Sequence, residues 1–153
     1  MLKQCLVLCS AMLPGTELRL SIPLAIALGM SPAEAFCYSA MGNLVPVLLL
    51  PVLLEKSTDW LRKYWIFDRA LSWIFARIER HSGIIAKYGS IGLILFVAIP
   101  MPGTGGWSGC VAAFLMRMRY KTTVVAVSAG VVIAGMVVTL ACMGVIGIAG
   151  LAV

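Results

Sequence analysis

The chain has 153 residues, the length of one domain, with 61% hydrophobic and 12% charged residues. An average soluble domain carries about 45–50% apolar and about 25% charged residues, so this chain has too little polar surface for water and its solvent is a bilayer. That excludes a nucleic-acid module, a secreted disulfide scaffold and a disordered regulator, and the net charge of +6 instead marks a cytoplasmic face.

In chain order, thirteen uncharged residues separate Lys3 from Glu17 and fourteen separate Arg19 from Glu34. Neither run reaches the roughly 20 helical residues that cross a bilayer. The first is followed by no small-x-small site, so it reads as a retained segment and not a cleaved signal. Residues 35–54 are uncharged and long enough for one crossing. Ser31-Pro32-Ala33-Glu34 is a capping box that starts it, which makes Glu34 structural, and Pro46 and Pro51 should kink it. Residues 55–87 hold eleven of the eighteen charges. Within them Trp60, Tyr64, Phe67, Leu71, Ile74 and Ile78 recur at helical spacing, which predicts an interfacial amphipathic helix over about 56–82. Tyr88–Met116 is uncharged but is cut by Pro100, Pro102 and the glycines after them. Thr122–Val153 is uncharged throughout and supplies a second crossing.

Pro14-Gly15-Thr16 recurs as Pro102-Gly103-Thr104, 88 residues on, and the same offset pairs Ala25 with Ala113, Met30 with Met118 and Gly42 with Gly130. Each half then reads as a short apolar segment, a break, a second short segment, a turn and a full-length helix. Two short segments around a break form a re-entrant hairpin. Adding one crossing per half makes the second half insert upside down. The expected fold is therefore an all-α integral membrane protein in one domain. Two inverted repeats, 1–54 and 89–153, flank a linker helix within 55–88. Ten of the twelve basic residues fall on the central segment or after the second hairpin, which places that side in the cytoplasm and both termini outside a multi-pass inner membrane protein. If the chain cannot enclose both breaks, a homodimer completes the cover.

The first break places Thr16 as a candidate N-cap, Glu17 in the first helical turn and Arg19 nearby, to pair with Glu17 or with a ligand. An ionisable pair at membrane depth is a functional-site candidate. In the second break Thr104 is a candidate N-cap, Gly105 allows close backbone approach, and Trp107 walls the site or packs. Facing helix N-termini would form an anion site. Asn43, with Ser39 one turn earlier, lines a cavity or meets an interhelical partner. These seven, Thr16, Glu17, Arg19, Asn43, Thr104, Gly105 and Trp107, are the candidate substrate- or proton-binding residues. The five cysteines lie in apolar stretches and read as buried free thiols, and the lone His81 gives no metal cluster. No nucleophile–base–orienter pattern occurs, so neither an enzyme nor a cofactor is expected.

Glu17-Leu18-Arg19, Ile22-Pro23, Leu28–Pro32 and Gly42–Pro46, with Lys87-Tyr88-Gly89, Ala98–Gly105, Trp107 and Gly109, resemble the small multi-drug export protein family. That family is similar to the DedA membrane-protein superfamily. The resemblance implies facing re-entrant hairpins, a transport role and membrane lipids as partners, with Glu17 matching the acidic residue of the DedA first hairpin. The arginines typical of the DedA second hairpin are absent from Pro100–Gly109. Three functions follow as expectations. The first is an exporter of a small solute, proton-coupled through Glu17. The second is a translocase of a phosphorylated lipid such as undecaprenyl phosphate. The third is a non-transporting membrane scaffold.

Overall fold

The computed structural model describes residues 2–61, 89–99 and 104–151. Among them are six helices and no strand: α1 Leu2–Met12, α2 Glu17–Ala27, α3 Pro32–Leu61, α4 Ser90–Ala98, α5 Gly106–Leu115 and α6 Tyr120–Leu151. The predicted capping box starts α3: the Ser31 N–H and hydroxyl donate to the Glu34 carboxylate at 3.0 and 2.9 Å, and the Glu34 N–H donates back to the Ser31 hydroxyl at 3.3 Å. Pro46 and Pro51 lie inside α3 without ending it. The charges from Glu55 onward do not end it either. α3 runs unbroken to Leu61, because Glu55 and Lys56 sit on its exposed surface and cost the helix nothing. The remainder of the predicted interfacial helix lies outside the described residues.

The two halves are built alike. α4, α5 and α6 start 88, 89 and 88 residues after α1, α2 and α3. α1 packs on α3 as α4 packs on α6, and the second short helix of each half also packs on the long helix of the other. The ends of α2 and α5 match bond for bond. Gly29 and Met30 N–H groups donate to Ile26 and Ala25 carbonyls, and Arg117 and Met118 donate to Phe114 and Ala113. Both are Schellman closures, with φ of 80° at Gly29 and 51° at Arg117.

Gly42 and Gly130 do one job in both halves. A Cβ on Gly42 would lie 2.5 Å from the Leu8 carbonyl oxygen of α1, and one on Gly130 would lie 2.6 Å from Val97 Cβ of α4. Each glycine lets the first short helix press against the long one, the close-packing device of helices in lipid. The interior is filled by small and β-branched residues such as Val7, Ile22, Val47, Val97, Ala112 and Val131.

The outer surface is apolar as well. Val125, Leu140 and Val145 of α6 are 67–69% exposed. Pro32–Lys56 of α3 and Tyr120–Val145 of α6 are long and apolar enough to cross a membrane. This surface corrects the expectation for cysteine. All five are free, but Cys5, Cys9 and Cys37 are exposed, and only Cys110 is fully buried. An apolar solvent removes the pressure that hides a thiol in a soluble protein.

Gly42→Ala and Gly130→Ala should each lower stability by about 1–3 kcal/mol through overpacking. Gly144→Ala, with nothing within 4 Å of the new methyl, should raise it by up to about 1 kcal/mol through helix propensity. Thermal unfolding in detergent measures all three.

Candidate functional site

α1 stops at Met12 and α2 starts at Glu17; α4 stops at Ala98 and α5 starts at Gly106. Each break leaves carbonyls at one helix end and N–H groups at the next helix start. In an apolar medium each costs several kcal/mol if left unpaired. The sequence meets this demand largely by reaching from one half to the other.

The two threonines serve the helix behind them. The Thr16 hydroxyl donates to the Ser10 carbonyl, with a longer contact of 3.4 Å to Leu13. The Thr104 hydroxyl donates to the Ile99 carbonyl at 2.7 Å. This corrects their expected role as N-caps. Thr16 has helical φ and ψ of −83° and −52° and makes no side-chain cap bond, whereas a capping side chain needs extended backbone. Thr104 stands one residue too early, because the residue before α5 is Gly105, whose N–H donates to Ser108 Oγ at 2.8 Å.

Glu17 crosses to the second half. Its carboxylate lies at the start of α5, where it accepts from the N–H of Trp107 at 3.4 Å with the Gly106 N–H beside it. A Cβ on Gly105 would lie 1.6 Å from Glu17 Oε2, so glycine here is the condition for the approach. Glu17 itself has φ of 42°, a left-handed conformation that costs a side-chain-bearing residue about 1 kcal/mol. Arg19 also crosses: its Nη2 donates to Thr104 Oγ1 at 2.8 Å and to the Ile99 carbonyl at 3.2 Å. The two charges therefore do not hydrogen-bond each other. The carboxylate meets the positive N-terminal end of α5, and the guanidinium meets the negative C-terminal end of α4. Trp107 returns the favour, its indole N–H donating to the Met12 carbonyl of α1 at 3.1 Å.

Asn43 of α3 completes the cluster. It is 1% exposed, and a Cβ on Gly106 would lie 2.5 Å from its Oδ1. That oxygen has no hydrogen-bond partner, and neither do the buried hydroxyls of Ser21 and Ser39. The interhelical partner expected for Asn43 is thus a close backbone approach and not a bond to its oxygen. Six of the seven candidate residues converge on the start of α5, and Thr16 stays with the end of α1. Ser21, Ser108 and Cys110 were not legible as participants. Ser21 had one signal, its place one helical turn after Glu17.

Two clefts open along α5 and α2. One, of about 240 Å³, lies among α3, α5 and α6 and is lined by Glu55, Cys110, Phe114, Arg117, Tyr120 and Thr123, among others. The other, of about 510 Å³, lies between α2 and α6 and is wholly apolar in its side chains, with Ile26, Val137 and Cys142 among them. Both lie between the second short helix of one half and the long helix of the other.

The model of the family described as "Putative small multi-drug export protein" matches residues 17–137, most of the chain. No curated protein and no solved structure matches it.

Gly105→Ala should lower stability by about 1–3 kcal/mol, because the methyl displaces the Glu17 carboxylate. Combining it with Glu17→Ala should cost clearly less than the sum of the two single changes. A thermal-unfolding double-mutant cycle reads the coupling, and additive costs would show that the contact carries no energy.

Proposed function

The chain belongs to the small multi-drug export protein family, and from that membership we propose that it exports a small organic solute in exchange for protons bound at Glu17. As a family member with two helices apolar enough to cross a bilayer, it is a membrane protein. The observation that carries the mechanism is the Glu17 carboxylate on the α5 N–H groups. A carboxylate is held there by its charge. Protonation removes that charge and most of the attraction, so one proton loosens a contact that joins the halves. Among the described residues the other acids with described side chains, Glu34 and Glu55, are exposed on α3. Solute reaching the cleft beside Cys110 would approach the same junction one turn along α5.

The same reading takes α1–α2 and α4–α5 as re-entrant hairpins and the halves as inverted. Their matching helix starts, Schellman closures and glycine contacts support the repeat. Inversion follows because each half has one crossing helix. Arg117, Arg119 and Lys121 at the α5–α6 turn then mark the cytoplasmic side. Translocation of a phosphorylated lipid is the weaker reading. The amide donors that would take a phosphate already hold Glu17, and Arg19 is committed to Thr104 and Ile99.

In proteoliposomes loaded with ethidium as the probe, a pH gradient should drive dye flux through the wild-type protein. Glu17→Gln should abolish the response to the gradient. Equal responses in the two proteins would remove Glu17 from the coupling. For topology, Ser31→Cys and Arg119→Cys on a background lacking the native cysteines should label from opposite faces. Labelling from one face would contradict inversion.

A further inference from the structure

Buried polar side chains normally find partners, so three orphaned oxygens in one small interior require an explanation. Ser21 and Ser39 are 0% exposed, Asn43 is 1% exposed, and Ser21 Oγ, Ser39 Oγ and Asn43 Oδ1 have no hydrogen-bond partner. Their placement is ordered. α2 and α3 pack together around the tight Leu28–Ser31 turn. Ser21 and Ser39 stand at nearly equal distances from that turn along the two helices, and one helical turn deeper so do Glu17 and Asn43. In an antiparallel helix pair this brings Ser21 opposite Ser39 and Glu17 opposite Asn43. The second half checks the register. The residues 88 positions on from Ser21 and Ser39 are Gly109 and Val127, and a Cβ on Gly109 would lie 3.3 Å from Val127 Cγ2.

That comparison also separates function from packing. The equivalents of Glu17, Ser21, Ser39 and Asn43 are Gly105, Gly109, Val127 and Val131. The second half builds the same helix pair with no polar side chain at these positions, so the fold does not require them. Only the half that carries Glu17 has them.

The geometry points to a proton path in which Ser21 and Ser39 relay protons, with intervening water, between the α2–α3 turn and Glu17, and Asn43 Oδ1 accepts the hydrogen bond of the protonated Glu17 carboxyl. This rests on the proposed role of Glu17 and names its route. The chemistry suits each member. A serine hydroxyl both donates and accepts, so it can pass a proton along a hydrogen-bonded chain. Asn43 Oδ1 only accepts, and protonation gives Glu17 the O–H donor it lacks when charged. Glu17 then has two partners for two states: the α5 N–H groups when ionised and Asn43 when neutral. The proton is taken up and released unchanged, so no other reactant is needed. The charged or titratable groups facing Glu17 are Arg19 on its own helix and Cys110 on α5. Among the described residues α1, α3 and α6 bring no charge to it.

The test reads Glu17 directly and needs no substrate. Dicyclohexylcarbodiimide reacts with protonated carboxyls in apolar surroundings, and mass spectrometry of the intact protein in liposomes reports the adduct on Glu17. In the wild type, acidifying the side on which the α2–α3 turn lies should speed labelling, and acidifying the other side should not. Ser21→Ala/Ser39→Ala should slow the response by at least about tenfold. Ser21→Thr/Ser39→Thr, which keeps both hydroxyls, should restore it. The alanine variant loses only unpaired hydroxyls, so its melting temperature should hold or rise, and a folded protein is available for the assay. An unchanged response in the alanine variant overturns the relay while leaving Glu17 as the proton site. A wild-type Glu17 whose labelling ignores pH on both sides overturns the proton site itself.

Discussion

A broken helix in an apolar medium must pair the polar groups its break exposes, and this chain pairs them across its two halves. Glu17 supplies the acceptor for the start of α5, Arg19 the donor for the end of α4, and Trp107 the donor for the end of α1. In water these groups would be solvated and the breaks could drift. For a break that lies in lipid, each bond replaces an unpaired group that costs several kcal/mol, which would hold the two breaks together. The rest of the molecule follows from that requirement. Gly105 must be bare to admit the carboxylate, and Gly42 and Gly130 must be bare to bring the short helices onto the long ones.

The requirement also explains why two opposite charges meet at this junction without bonding each other. An isolated Glu–Arg pair would neutralise itself and leave both breaks unsatisfied. Splitting the pair puts each charge on the helix end of opposite sign. On the proposed reading the arrangement is held by charge, and that makes it switchable. One proton removes the carboxylate's attraction while the guanidinium bonds to Thr104 and Ile99 remain. A transporter needs an element of this kind, in which a small ligand biases two packings of one structure.

Much of this was legible in the sequence. The Pro-Gly-Thr repeat and its spacing gave the helix starts in both halves, because turn residues and charges are local signals. The capping box at Ser31 and the placing of Glu17 and Arg19 in the first turn of α2 were read from the same kind of signal. Partner choice was not. Thr16 stands where an N-cap stands, but its helical backbone turns the hydroxyl backward, and Thr104 stands one residue before the N-cap position and donates to Ile99 instead. The split of Glu17 from Arg19 depends on where the second half lies, which no local pattern encodes. The extension of α3 to Leu61 was hidden by charges that an exposed helix face tolerates.

The junction of the two halves depends on the bond between the Glu17 carboxylate and the start of α5. Protein labelled with 15N-glycine, 15N-tryptophan and 13C-glutamate allows an NMR titration in lipid nanodiscs. The backbone amide of Trp107 should shift along the same curve as the Glu17 side-chain carboxyl carbon, and Glu17→Gln should abolish that shift. A Trp107 amide that does not follow the Glu17 carboxyl, or that titrates unchanged in Glu17→Gln, would contradict the account.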